Sequence, residues 1–145
     1  MASVLDVAAA VLRRTGSIST MKLQKLVYYS KAWHAVWDEE ELFPEHIEAW
    51  ANGPVCPALY ASHRGQFRIA SITGGDASKL TTRERESVEI VVDSYNKLTA
   101  AQLSELSHRE APWRDARLEA GLASGDRGDA KITTESMVEF YGGLE

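Results

Sequence analysis

Apolar and polar side chains repeat with a helical period across residues 21–37, which read MKLQKLVYYSKAWHAVW. At about 100° per residue the apolar side chains gather on one face, which holds Leu23, Leu26, Val27, Ser30, Trp33, His34 and Trp37. Because each tryptophan can bury about 150–250 Å², we predict that this helix is the main element of the core. The other face is expected to point outward, either covering a neighbouring helix or docking another protein; it carries Met21, Gln24, Lys25, Tyr28, Lys31 and Ala32.

Shorter patterns of the same kind predict six further helices, over residues 3–15, 57–64, 82–98, 99–110, 113–120 and from 134 onward. Alternating residues near 47–51 and 66–72 indicate short strands, and Ile132 is a further strand candidate. Asn52-Gly53-Pro54 predicts a stiff turn directly after Trp50. We therefore predict a mainly α (α+β) fold, a compact helical bundle with a two- or three-stranded β element near residues 46–72.

Length and composition fit one domain, residues 1–145, with 44% hydrophobic residues to fill a single core. No run of 18 apolar residues occurs, so no membrane-spanning helix is expected. The N-terminal residues do not read as a secretory signal, and Cys56 is the single cysteine, which excludes an intrachain disulfide. The expected location is the cytoplasm.

Charge is unevenly distributed along the chain, whose net charge is −5. Residues 1–36 hold five basic side chains against Asp6 alone, which gives +4, so the remainder carries −9, including four consecutive acids at 38–41. A net acidic domain argues against nucleic-acid binding. A surface with both signs favours a protein partner, although a solvated loop and helix face would give the same pattern.

Sequence motifs for enzymatic chemistry are largely missing. No phosphate-binding glycine loop or nucleophile elbow occurs, so we expect no cofactor. The histidine spacings do not fit a zinc site, and the acids at 38–41 lack the spacing of a calcium loop, so no metal is expected either. Cys56 with His63 is a conceivable nucleophile and base, but a buried structural cysteine is the commoner case.

Several segments together resemble the Panacea domain family of Soc-type antitoxin-like proteins, which are often encoded beside small toxin genes. The likeness rests on residues 21–29 (MKLQKLVYY) and 48–55 (EAWANGPV), supported by Leu42–Phe43, Leu59–Tyr60, Ser107–His108 and Pro112–Trp113. These segments follow the family's order across about residues 19–141, and the two longer blocks are specific only in combination.

The resemblance implies a mainly helical domain without enzymatic activity. It implies an antitoxin that binds one cognate protein toxin, encoded by an adjacent gene. An alternative within the family is an adaptor that delivers its toxin to an ATP-dependent protease. An alternative outside it is a small hydrolase that uses His108 or Cys56.

Candidate partner-binding residues follow from the aromatic and basic side chains in the two blocks. Tyr28, Lys25 and Trp50 are the expected anchors, with Lys22, Lys31 and His108 at the rim. His108 could instead cap and pack a helix end, or latch onto the turn after Trp50. The expected structural residues of the motif are Leu23, Leu26, Gly53, Pro54, Pro112 and Trp113.

Overall fold

The structure is a computed structural model that describes all 145 residues, and its core is a bundle of seven α-helices. The helices are α1 Val4–Thr15, α2 Thr20–Asp38, α3 Pro57–His63, α4 Thr82–Tyr95, α5 Ala100–Arg109, α6 Ala111–Glu119 and α7 Thr134–Gly142, with one 3-10 turn at Ala77–Lys79. The mainly helical architecture predicted from the sequence is confirmed. None of these helices combines the length and apolar character needed to cross a bilayer.

Local sequence explains where most helices begin. The side chains of Ser3, Thr81 and Thr99 each accept a hydrogen bond from the third residue of the helix they precede, and that residue bonds back to the cap. These reciprocal capping boxes satisfy amides that have no partner inside the helix. Pro112 lies in the first turn of α6, where a missing amide proton is harmless.

Helix α2 runs through the middle of the bundle and packs against α1, α4, α5, α7 and the strand Gly53–Val55. Neighbours surround most of its circumference, and Met21 in the first turn is its one exposed residue. The prediction of an outward face was therefore wrong: Gln24, Lys25, Tyr28, Lys31 and Ala32 are all buried. The helical wheel places polar side chains toward solvent. Here Gln24, Tyr28 and Lys31 are hydrogen-bonded inside the protein instead, and Gly53 packs on the end of Lys25.

Two small antiparallel sheets flank the bundle. The first contains β2 (Ile47–Trp50), β3 (Gly53–Val55) and β5 (Lys131–Ile132) in the spatial order β3-β2-β5. Its centre is a tight hairpin in which Trp50 pairs with Gly53, while Ile132 pairs with Ile47 from far along the chain. The second sheet pairs β1 (Ile18–Ser19) with β4 (Arg68–Ile69). The first sheet helps to frame one surface cavity beside the start of α2.

Candidate functional site

An open cavity of about 640 Å³ lies between the first turns of α2, the β2–β3 hairpin, helix α3 and residues 127–129. This volume falls within the range of sites that hold small molecules or peptide side chains. Its walls include Gln24, Lys25, Trp50 and Tyr60. The two sequence blocks that carry the family resemblance therefore meet at one place, although 18 residues separate them in the chain.

Trp50 ends strand β2 and is held in place by its neighbours. Its indole Nε1 donates to Glu48 Oε1 at 2.8 Å, its carbonyl accepts from Trp113 Nε1 at 2.8 Å, and its ring packs edge-on against Tyr60 at 5.1 Å. The side chain remains half-exposed. A fixed, partly exposed tryptophan presents apolar area to a partner at little cost in conformational entropy.

Gly53 forms the turn that the sequence predicted after Trp50. Its φ of +124° belongs to a region that favours glycine. A Cβ at this position would lie 2.5 Å from Cε of Lys25 and 3.3 Å from Oγ of Ser107. The hairpin can therefore close over the end of the Lys25 side chain only because residue 53 has no side chain.

Lys25 lies under this turn with 1% of its surface exposed. Its Nζ atom makes no hydrogen bond or ion pair, and burial lowers its pKa to about 8. Every fully buried side-chain nitrogen or oxygen in the protein has a hydrogen-bond partner. The partnerless Nζ is therefore not fully buried, and it keeps its slight solvent contact at the cavity that Lys25 lines.

Gln24 fixes the opposite wall by bonding with both ends of its amide. Its Oε1 accepts from the Cys56 amide at 2.9 Å, and its Nε2 donates to the Cys56 carbonyl at 3.4 Å. The same Nε2 lies 2.9 Å from Nε2 of His63, whose pKa is lowered by burial, so a neutral imidazole accepts this bond. Burial also raises the pKa of the Cys56 thiol, which opposes a role as nucleophile.

Two of the predicted contact residues, Lys31 and Tyr28, form their hydrogen bonds inside the protein. Lys31 Nζ donates to the carbonyls of Phe43 at 2.6 Å and Glu45 at 2.9 Å, and so holds the loop after α2. The Tyr28 hydroxyl lies 3.0 Å from that of Tyr141. Neither residue lines the cavity, so the expectation that they are accessible to a partner was wrong.

The two remaining rim candidates lie outside the cavity lining. Lys22 Nζ donates to the Asn96 carbonyl at 2.7 Å. The His108 ring stacks on Trp113 with centroids 3.9 Å apart. Burial lowers the pKa of His108, and contact with the Asn52 backbone opposes that shift. This contact places His108 beside the turn after Trp50, and its role as a latch stays a prediction.

Residues 127–129 form the outer wall, and no sequence pattern indicated this. Arg117 fixes the chain that leads into them. Its guanidinium donates to the carbonyls of Ala49 at 2.9 Å, Ala123 at 3.0 Å and Asp126 at 2.7 Å. The Arg117 side chain is itself buried. The pairing of Ile132 with Ile47 brings this segment to the cavity, and the lone strand residue at 132 was the only available signal.

A second polar cluster, His34, Glu40 and Glu84, places one potential metal-ligand atom from each residue within 4.8 Å of the others. Each residue already has a protein partner. Nδ1 of His34 bonds Ser87 Oγ at 2.7 Å, Nε2 bonds Glu40 at 3.2 Å, and Glu84 accepts from the Thr81 amide at 2.8 Å. These bonds account for the cluster as a cap for α4 and the end of α2.

Comparison with known proteins gives one match. The model of the family described as Antitoxin SocA-like, Panacea domain, matches residues 23–114, well over half of the chain. The matched range contains Gln24, Lys25 and the hairpin and α3 walls of the cavity, while Thr20, Met21 and residues 127–129 lie outside it. No curated protein and no solved structure matches. The resemblance identified in the sequence is confirmed: the chain belongs to the SocA-like antitoxin family with the Panacea domain, and this membership supports an antitoxin role in general terms.

Proposed function

We propose that this protein is the antitoxin of a toxin–antitoxin pair and neutralises a cognate protein toxin, encoded by an adjacent gene, by direct binding at the cavity beside Trp50. One observation carries the proposal: the two family blocks, residues 21–29 and 48–55, converge on one open cavity. Membership in an antitoxin-like family supports a protein toxin as the partner.

The surface around the cavity suits a protein partner. Met21 and Tyr60 line the cavity and are partly exposed, at 41% and 38%. Phe67, 82% exposed, is joined to the cavity wall because its carbonyl accepts from the Thr20 amide at 2.9 Å. Apolar side chains grouped around a pocket are typical of the central part of a protein interface.

The available area is sufficient for a stable complex. A standard interface buries about 800 Å² on each partner. The protein exposes 7460 Å² in total, so such an interface would cover about a tenth of it. Blocking a toxin by covering its active surface needs no catalytic group, which agrees with a buried Cys56 whose thiol pKa is raised.

Growth rescue tests the proposal. The product of each neighbouring gene is induced alone or together with this protein, and we expect one product to arrest growth and co-expression to restore it. Trp50→Ala should weaken rescue, while the matched control Ile90→Ser, on the exposed side of α4 and outside the cavity lining, should not. Rescue that disappears in cells lacking an ATP-dependent protease would contradict direct blocking and favour the adaptor alternative. Failure with every neighbouring gene would contradict an antitoxin role.

A further inference from the structure

The Lys25 ammonium, which keeps only slight solvent contact at the cavity, has no partner in the packing of the chain. The side chain is 1% exposed, and its ammonium has neither a hydrogen-bond partner nor a carboxylate within 4.0 Å. Burying a charge without a partner is unfavourable. The other buried lysine, Lys31, illustrates the contrast, because two backbone carbonyls accept from its ammonium.

Carboxylates that line the cavity do not neutralise this charge. Both oxygens of Glu48 are occupied, Oε1 by the indole of Trp50 at 2.8 Å and Oε2 by His46 Nε2 at 2.7 Å. Asp129 lies on the exposed outer wall and forms no ion pair with Lys25. The bottom of the cavity therefore holds a cation whose counterion is not part of the resting chain.

The surrounding backbone favours a negative occupant. Thr20 and Met21, the first residues of the 19-residue helix α2, form part of the cavity wall. The amino end of a helix carries a partial positive charge. On the hairpin side the backbone of Gly53 packs directly on the end of Lys25, where a Cβ would lie 2.5 Å from Cε, so an occupant would approach the ammonium from the cavity.

We propose that the cavity takes an aspartate or glutamate side chain from a segment of the bound toxin, and that its carboxylate pairs with Lys25 Nζ. This inference rests on the proposed function. A single ammonium matches a single carboxylate. The partly exposed Met21, Trp50 and Tyr60 around the mouth provide apolar contacts for the residues on either side of the acid. A free chain terminus, by contrast, is usually captured by a nest of backbone amides.

Lys25→Met tests the pairing because it keeps the length of the side chain and removes its charge. Removing one member of a desolvated charge pair costs about 2–5 kcal/mol, so toxin affinity should fall by about 30-fold or more. Lys22→Met is the matched control: it makes the same substitution on the same helix outside the cavity lining, and its affinity should stay within about threefold of wild type.

An independent arm needs no toxin. Random dodecapeptides displayed on phage are selected on the wild-type protein, then compared for binding to Lys25→Met and Lys22→Met. We expect an acidic residue at one fixed position among apolar neighbours, and loss of binding to Lys25→Met alone. Selected peptides without a fixed acid, no enrichment at all, or equal binding by Lys25→Met would overturn the inference.

The two arms separate the inference from the proposed function. A toxin that binds wild type and Lys25→Met equally leaves the antitoxin role intact and overturns the pairing. Absence of any toxin that binds wild type contradicts the proposed function, while the peptide selection still decides whether the cavity recognises an acidic side chain.

Discussion

Lys25→Met should make the free protein more stable, although Lys25 lies in the middle of the candidate site. Burial lowers the pKa of this lysine from 10.5 to about 8. At 1.36 kcal/mol per pKa unit, that difference corresponds to roughly 3 kcal/mol of unfavourable free energy for the charged form in the folded protein. Methionine fills a similar volume without the charge, so the free energy of unfolding should rise by about this amount near neutral pH.

The effect has a definite dependence on pH. Because the folded protein holds the Lys25 proton less tightly than the unfolded chain, folding releases a proton between about pH 8 and 10.5. Above about pH 10.5 Lys25 is neutral in the folded and unfolded states, so it does not lower the free energy of unfolding of wild type. This free energy falls as the pH is lowered through about 8, because the lysine then becomes charged in the folded protein as well. The advantage of Lys25→Met should therefore be largest below about pH 7 and vanish near 10.5.

Urea unfolding of wild type, Lys25→Met and Lys22→Met across this pH range measures the effect. Subtracting the free energy of unfolding of wild type from that of each variant cancels the titration of groups that all three proteins share. In thermal unfolding the same difference should appear as an increase in Tm of about 6–12 °C near neutral pH. An unchanged stability for Lys25→Met, or a difference that does not vary with pH, would refute a buried ammonium without a partner.

Three further predictions concern the residues around the site. Gly53→Ala should destabilise the protein by about 1–3 kcal/mol in urea unfolding, because it forces a Cβ against Lys25 and strains a positive φ; wild-type stability would contradict this. Cys56 should react with a thiol reagent only as fast as the protein unfolds, because it is buried and its thiol pKa is raised; rapid labelling of the native protein would contradict its burial. Glu110→Ala should lower the free energy of unfolding by about 2–3 kcal/mol, because two buried tyrosine hydroxyls lose their acceptor; an unchanged urea midpoint would contradict that cluster.

Elements set by local chemistry were accessible from the sequence. Serine and threonine caps marked the starts of α1, α4 and α5, and Asn52-Gly53-Pro54 marked the hairpin turn. These features depend on residues within one or two turns of each other, so the chain order contains the information.

The faces of α2 were not accessible in this way. A helical wheel assumes that one side meets water, and α2 has neighbours on all sides. A helical wheel predicts that lysines are exposed. In the structure the Lys31 ammonium donates to two backbone carbonyls, and Lys25 is buried beneath the hairpin.

The outer wall of the cavity could not be predicted from the sequence for a different reason. Residues 127–129 reach it through strand pairing across more than eighty positions, and through Arg117, which bonds three carbonyls. Neither contact leaves a local pattern in the sequence.

The affinity of the purified protein for the toxin of the neighbouring gene, measured by titration calorimetry for wild type, Trp50→Ala and Ile90→Ser, tests the central claim most directly. If the cavity is the binding site, wild type and Ile90→Ser bind alike, and Trp50→Ala binds at least about 30-fold more weakly, as expected for a central aromatic contact. Equal affinity for all three proteins, with Trp50→Ala still folded, would contradict the cavity as the site of toxin binding.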